Sequence, residues 1–114
     1  METTFAQPTG DPRFFAALRD MALMHARKGA DYGRDHDAFA NVRASAEFGI
    51  DGWKGAMIRA NDKVHRIKSY CLNGKLANEV VEDSLIDLAC YAVIALILFR
   101  EECNAEASSQ QGSP

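Results

Sequence analysis

The stretch Leu88–Phe99 reads LACYAVIALILF, twelve residues without a charge, and directly before it EVVEDSLID carries Glu79, Glu82, Asp83 and Asp87. A helix that crosses a bilayer needs roughly 20 apolar residues in succession. Twelve is too few, so the segment reads as the buried helix of a protein interior and not as a membrane anchor. A helix apolar on every side must be covered on every side. In a chain of 114 residues, which builds one modest core, that demand ties the other helices to this one and invites a second copy of the chain to cover the remainder.

Helix punctuation is clear along the chain, and no segment alternates as a strand does. Asp11-Pro12 is a start signal, a capping acid followed by proline at the first helical position. Phe14, Phe15, Leu18, Met21, Ala22 and His25 then recur at helical spacing, and the helix should end near Lys28-Gly29. KGADYGRDHD reads as a polar connection. DAFANVRASAEF reads as a short helix stopped by Gly49, and a third helix is expected from Trp53 to Asn73 with Gly74 as its stop. The fourth should start near Asn78 and run past Phe99. These elements predict an all-α bundle of about four helices, with the last two antiparallel across a short link. The expected organisation is one domain over residues 1–104 and a disordered tail over 105–114, where AEASSQQGSP is low in apolar content.

Composition narrows the function classes. The net charge of −3 gives no general attraction to phosphate backbones, so no nucleic-acid partner is expected. Cys71, Cys90 and Cys103 are odd in number and widely spaced, which points to reduced thiols in a cytoplasmic protein rather than a disulfide framework or zinc site. METTFAQPTGDPR lacks the basic and apolar regions of a secretory leader.

On a helical wheel, Glu79, Asp83 and Asp87 fall on one stripe about 80° wide that continues as Cys90, Tyr91, Ile94 and Leu98, with Glu82 to one side. Acids in a first turn suit the helix dipole, which accounts for Glu79 and Glu82. Asp87 lies about two turns in, and like charges at i,i+4 repel by roughly 0.2–0.5 kcal/mol per pair. Two readings follow: a carboxylate cluster for a hard cation, Mg2+ above all, or capping acids with salt bridges. Under the first, the metal-free acids repel one another and strain the helix.

The preceding helix offers bases. In GAMIRANDKVHRIKSYC, Met57, Ala60, Val64, Ile67 and Cys71 form an apolar seam, while Arg59, Asp62, Lys63 and Arg66 share another face. Such a face is either a solvated surface or a phosphate grip, since arginine offers a planar fork and lysine a point charge to phosphate oxygens.

DKVHRI followed by VEDSLIDLACYAVIAL, with KGADYG and AFAN upstream, resembles the nucleotide-modification-associated domain of phages and bacteria. This is a branch of the MazG-like all-α nucleoside triphosphate pyrophosphohydrolases, and the resemblance spans Lys28 to Phe99. It implies a helical bundle assembled as a homodimer or homotetramer. It also implies an Mg2+- or Mn2+-dependent cleavage of a nucleoside triphosphate, ribo- or deoxyribo-, between the α and β phosphates. Such an activity would serve nucleotide-pool control or DNA modification. Carried onto this chain, Asp83, Asp87, Glu82, Glu79 and Asp62 become metal ligands, with Glu79 or Glu82 orienting the attacking water. Lys63, Arg59 and Arg66 meet the phosphates, and Lys28, Asp31 and Tyr32 meet base and sugar. The pattern also departs from the wider superfamily: Asp62-x-x-His65 stands for E-x-x-E, and Ser84 for a glutamate of E-x-x-D. The alternative is a non-catalytic helical interaction or regulatory module of the same fold.

Overall fold

The computed structural model describes residues 9–32, 39–75 and 80–111, and among these every regular element is helical. The fold class is all-α, as expected. The chain divides into two compact units, residues 1–38 and 39–114.

The first unit contains α1, Pro12–Tyr32. Its start is built as the sequence predicts. The Asp11 carbonyl accepts from the Phe14 N–H at 3.0 Å, and the Asp11 carboxylate accepts from the Arg13 N–H at 2.8 Å. The Arg13 guanidinium folds back on the same carboxylate at 2.7 and 3.1 Å. That guanidinium first, and the backbone N–H second, hold the Asp11 carboxyl below its ordinary range. The end of α1 is a correction. The helix does not stop at Lys28-Gly29 but continues to Tyr32. A glycine inside a helix costs about 1 kcal/mol against alanine, which weakens a helix without ending it.

The second unit begins with α2, Ala40–Arg43, which tightens into a 3-10 turn over Ala44–Phe48. Gly49 closes this turn at φ 75°, a left-handed conformation that glycine adopts at no steric cost. Next comes α3, Gly52–Asn73, ended by Gly74, also at φ 75°, whose N–H donates to the Tyr70 carbonyl at 2.7 Å. Then α4 runs over Val81–Gln111. It starts three residues after the expected Asn78. It also continues to Gln111, so that residues 105–111 of the expected disordered tail are helical. Alanine, glutamate and glutamine are good helix formers, so the segment prolongs a helix already nucleated upstream.

α3 and α4 are antiparallel. Trp53, early in α3, meets Phe99, late in α4, edge to face at 5.4 Å between ring centroids. Lys63, in mid-α3, meets Asp87 near the start of α4. The crossing is lined by small side chains: Ala56, Ala60 and Ser84 are buried. Val42, Ala56, Ala95 and Leu98 form the core, with Phe39, Trp53, Tyr91 and Ile94 packed around it. Ser45 fastens the 3-10 turn to this core. Its hydroxyl lies 2.9 Å from the Val42 carbonyl and 3.0 Å from that of Ile50.

Within the single chain α4 is not covered on every side. One flank packs on α3, but Leu85, Val93, Leu96, Ile97 and Phe99 are exposed. Within this unit, α3 packs on the flank of α4 that carries Ser84, Ala95 and Leu98. None of the described helices is long and apolar enough to cross a membrane.

Candidate functional site

Helix phase decides which charged side chains meet. On α4, Ser84 and Asp87 are one turn apart on the flank that packs on α3. Ser84 is fully buried, and the Asp87 side chain is 14% exposed. On α3, Lys63 stands at the inner edge of the charged face, its side chain 18% exposed. The Lys63 Nζ lies 3.1 Å from Asp87 Oδ2. Of the residues picked out as phosphate and metal contacts, this pair is brought together in the seam between the two helices.

The other candidates border the pair or lie apart from it. Asp83, one turn before Asp87, is exposed, as are Arg59 and Asp62 on α3 and Glu82 on α4. Arg66 is exposed and has an interaction partner. Glu82 is about 140° around the helix axis from Asp87 and faces away from the seam. Lys28 is exposed near the end of α1 in the other unit. Glu79 lies outside the described residues, as do the side chains of Asp31 and Tyr32, whose backbone closes α1.

The acids do not form a ready cage. Among the described residues, no group of three or more His, Cys, Asp or Glu side chains is placed to hold a metal ion. Mg2+ is often held by one or two carboxylates, with waters and substrate phosphates completing its octahedron. Asp87 and Asp83, neighbours at i,i+4 on one face of α4, are a donor set of that kind. The picture of mutually repelling acids is corrected at Asp87, because the Lys63 ammonium already neutralises that carboxylate.

One feature was missed by reading the sequence. An open groove of about 510 Å³ follows the pair along the seam, lined by Val64, Ile67, Lys68, Cys71, Leu72, Leu85 and Leu88. Val64 and Leu88 directly follow Lys63 and Asp87 in the chain. The expected seam of α3 is thus filled at Ala60 and open at Cys71. Its signal was present in the apolar spacing, but whether α4 fills that spacing depends on where the helices cross.

No family model, curated protein or solved structure matches the chain.

Proposed function

We infer that this protein is a divalent-cation-dependent nucleoside triphosphate pyrophosphohydrolase, releasing a nucleoside monophosphate and pyrophosphate. The observation that carries the reading is the part-buried meeting of Lys63 and Asp87 between α3 and α4, bordered by Asp83, Arg59 and Arg66. Cationic groups for phosphates and carboxylates for a metal then share one face of two adjacent helices.

In this reading Asp87 and Asp83 hold Mg2+ or Mn2+. When bound, the cation neutralises charge developing on the phosphates and makes water a better nucleophile. Lys63, Arg66 and Arg59 orient the phosphate chain. Glu79 orients the attacking water, a role that Glu82 is poorly turned to perform. The chain acts as a cytoplasmic homodimer or homotetramer, because self-association covers the apolar flank at Leu85, Val93, Leu96, Ile97 and Phe99.

Charge geometry at Arg66 tests the phosphate grip. Arg66→Ala should abolish most turnover with helical content unchanged, and Arg66→Lys should stay impaired because a fork is replaced by a point charge. Full turnover in both variants would remove this face of α3 from the site.

The exposed apolar flank of α4 specifically favours a second reading, a non-catalytic helical module that docks through that flank. Replacing Leu96 and Ile97 together by glutamine separates the two. If the flank only joins copies of this chain, the variant dissociates in light scattering. If it serves another protein, the oligomeric state is unchanged.

A further inference from the structure

We infer that the pocket between the 3-10 turn and α3 is the seat of the nucleotide's base, which stacks on Phe48 while its phosphate chain leads past Arg59 onto the cationic face of α3. The inference rests on the nucleotide-hydrolase reading and deepens it by placing the base. The pocket holds about 310 Å³, and its lining includes Asn41, Glu47, Phe48, Gly55, Ile58 and Arg59. Small-molecule sites begin at roughly this size and combine an apolar wall with a few polar groups. Phe48 is 82% exposed and Ile58 is 54% exposed. Single exposed apolar side chains are ordinary. Here, however, a ring and an aliphatic chain line the same hollow as a guanidinium. Asn41 and Glu47 add an amide and a carboxylate, which suit the polar edge of a base.

The wall that carries Phe48 is fixed by the fold itself. Gly49 closes the 3-10 turn at φ 75°, and the Ser45 hydroxyl lies within hydrogen-bond distance of the Val42 and Ile50 carbonyls. Gly55 lets this turn seat closely on α3, since a Cβ there would come within 2.5 Å of the Ser45 hydroxyl. A ring on such a support loses little freedom when a base stacks on it, so the contact is retained as affinity. Every base has a π-face and can stack on an aromatic ring. Arg59 supplies direction. Lys63 and Arg66 follow it one and two turns further along α3, so the cationic face begins at the pocket and runs away from it. A base held against Phe48 therefore leads its phosphates onto that face. The arginine at the rim also favours a ring that carries an anion over a neutral one.

The test is calorimetric binding, in Mg2+, of two kinds of probe to the full chain. One is the set of common nucleoside triphosphates with a methylene bridge between the α and β phosphorus atoms, which resist cleavage there. The other is inorganic tripolyphosphate, which has no base. Wild type should bind at least one nucleotide analogue more tightly than tripolyphosphate. Phe48→Ala should weaken that analogue by about 5–150-fold, the span for one lost base–aromatic stack, and leave tripolyphosphate unchanged. Phe48→Tyr keeps a ring and should bind as wild type does. Arg59→Gln should weaken both probes. Because Phe48 is so exposed, its replacement should leave helical content intact, which circular dichroism checks. The base seat is overturned if wild type holds no analogue more tightly than tripolyphosphate, or if Phe48→Ala leaves the analogue's affinity unchanged. A loss in Phe48→Ala that tripolyphosphate shares, or that Phe48→Tyr shares, overturns it as well. So does undiminished binding of both probes by Arg59→Gln, because the phosphates then do not pass that residue. In each of these cases the nucleotide reading stands as long as wild type binds an analogue. If wild type binds neither kind of probe, the base seat and the wider reading fail together.

Discussion

Arg43 at the end of α2 grips Glu101 in α4 through two parallel hydrogen bonds of 2.8 and 3.1 Å, across 58 residues of chain. The fork matches the carboxylate, yet both side chains are about half exposed. Pairs in water contribute roughly 0.2–1 kcal/mol even when geometry is good. Glu101→Gln should therefore lower stability by less than about 1 kcal/mol, and the loss should shrink as salt is raised. A double-mutant cycle with Arg43→Gln measures the coupling; a value of several kcal/mol would mean that the pair anchors α2.

Gly55 reverses a familiar rule. Glycine inside a helix is usually improved by alanine, by about 0.5–1 kcal/mol. Here an added Cβ would come within 2.5 Å of the Ser45 hydroxyl and 3.2 Å of the Val42 carbonyl. Ser45 is fixed by the Val42 and Ile50 carbonyls and cannot give way without losing them. Gly55→Ala should destabilise by about 1–3 kcal/mol, in the range of overpacked cores. Denaturant melts of Gly55→Ala and of Gly55→Ala with Ser45→Ala should show partial rescue in the double variant. A more stable Gly55→Ala would mean that α3 can shift away from the turn.

Element limits were legible wherever a residue has few alternatives. Asp11-Pro12 starts α1, and Gly49 and Gly74 end their elements with φ of 75° because other residues rarely tolerate that angle. The end of α1 was misread, since Gly29 permits a stop without enforcing one. At the candidate site, the sequence singled out Lys63 and Asp87 but did not show that they face each other. That depends on the crossing of α3 and α4, which is set by the buried small residues Ala56, Ala60 and Ser84. For the same reason, the apolar character of α4 was legible, while the side α3 covers was not.

At Asp87 the paired geometry changes the expected sign of a substitution. Unpaired, repelling acids would make Asp87→Asn neutral or stabilising without metal. Because Lys63 faces this carboxylate at 3.1 Å in a largely buried seam, Asp87→Asn leaves a lysine charge that has lost its partner. It should unfold earlier by about 1–3 kcal/mol. Melting curves in chelator decide the matter, and an unchanged or higher midpoint would return Asp87 to the set of strained acids.

Acid should loosen the start of α1. The Asp11 carboxyl titrates below its ordinary range, chiefly through the Arg13 guanidinium and then through its N–H. A group whose folded value is depressed contributes stability above its unfolded value, near 3.9, and loses it as pH falls through the folded value. Hydrogen exchange at the first turn of α1 should thus quicken below about pH 4, and Asp11→Asn should remove most of that dependence. The same pH dependence in Asp11→Asn would assign it to another group.

Product identity tests the central claim most directly. The protein is incubated with each ribo- and deoxyribonucleoside triphosphate and Mg2+, and the products are separated by ion-exchange chromatography. At least one substrate should yield the monophosphate and pyrophosphate in equal amounts, and chelator or Asp87→Asn should abolish the yield. A diphosphate with orthophosphate would place the cleavage at the wrong bond, and no product from any nucleotide would contradict the hydrolase reading outright.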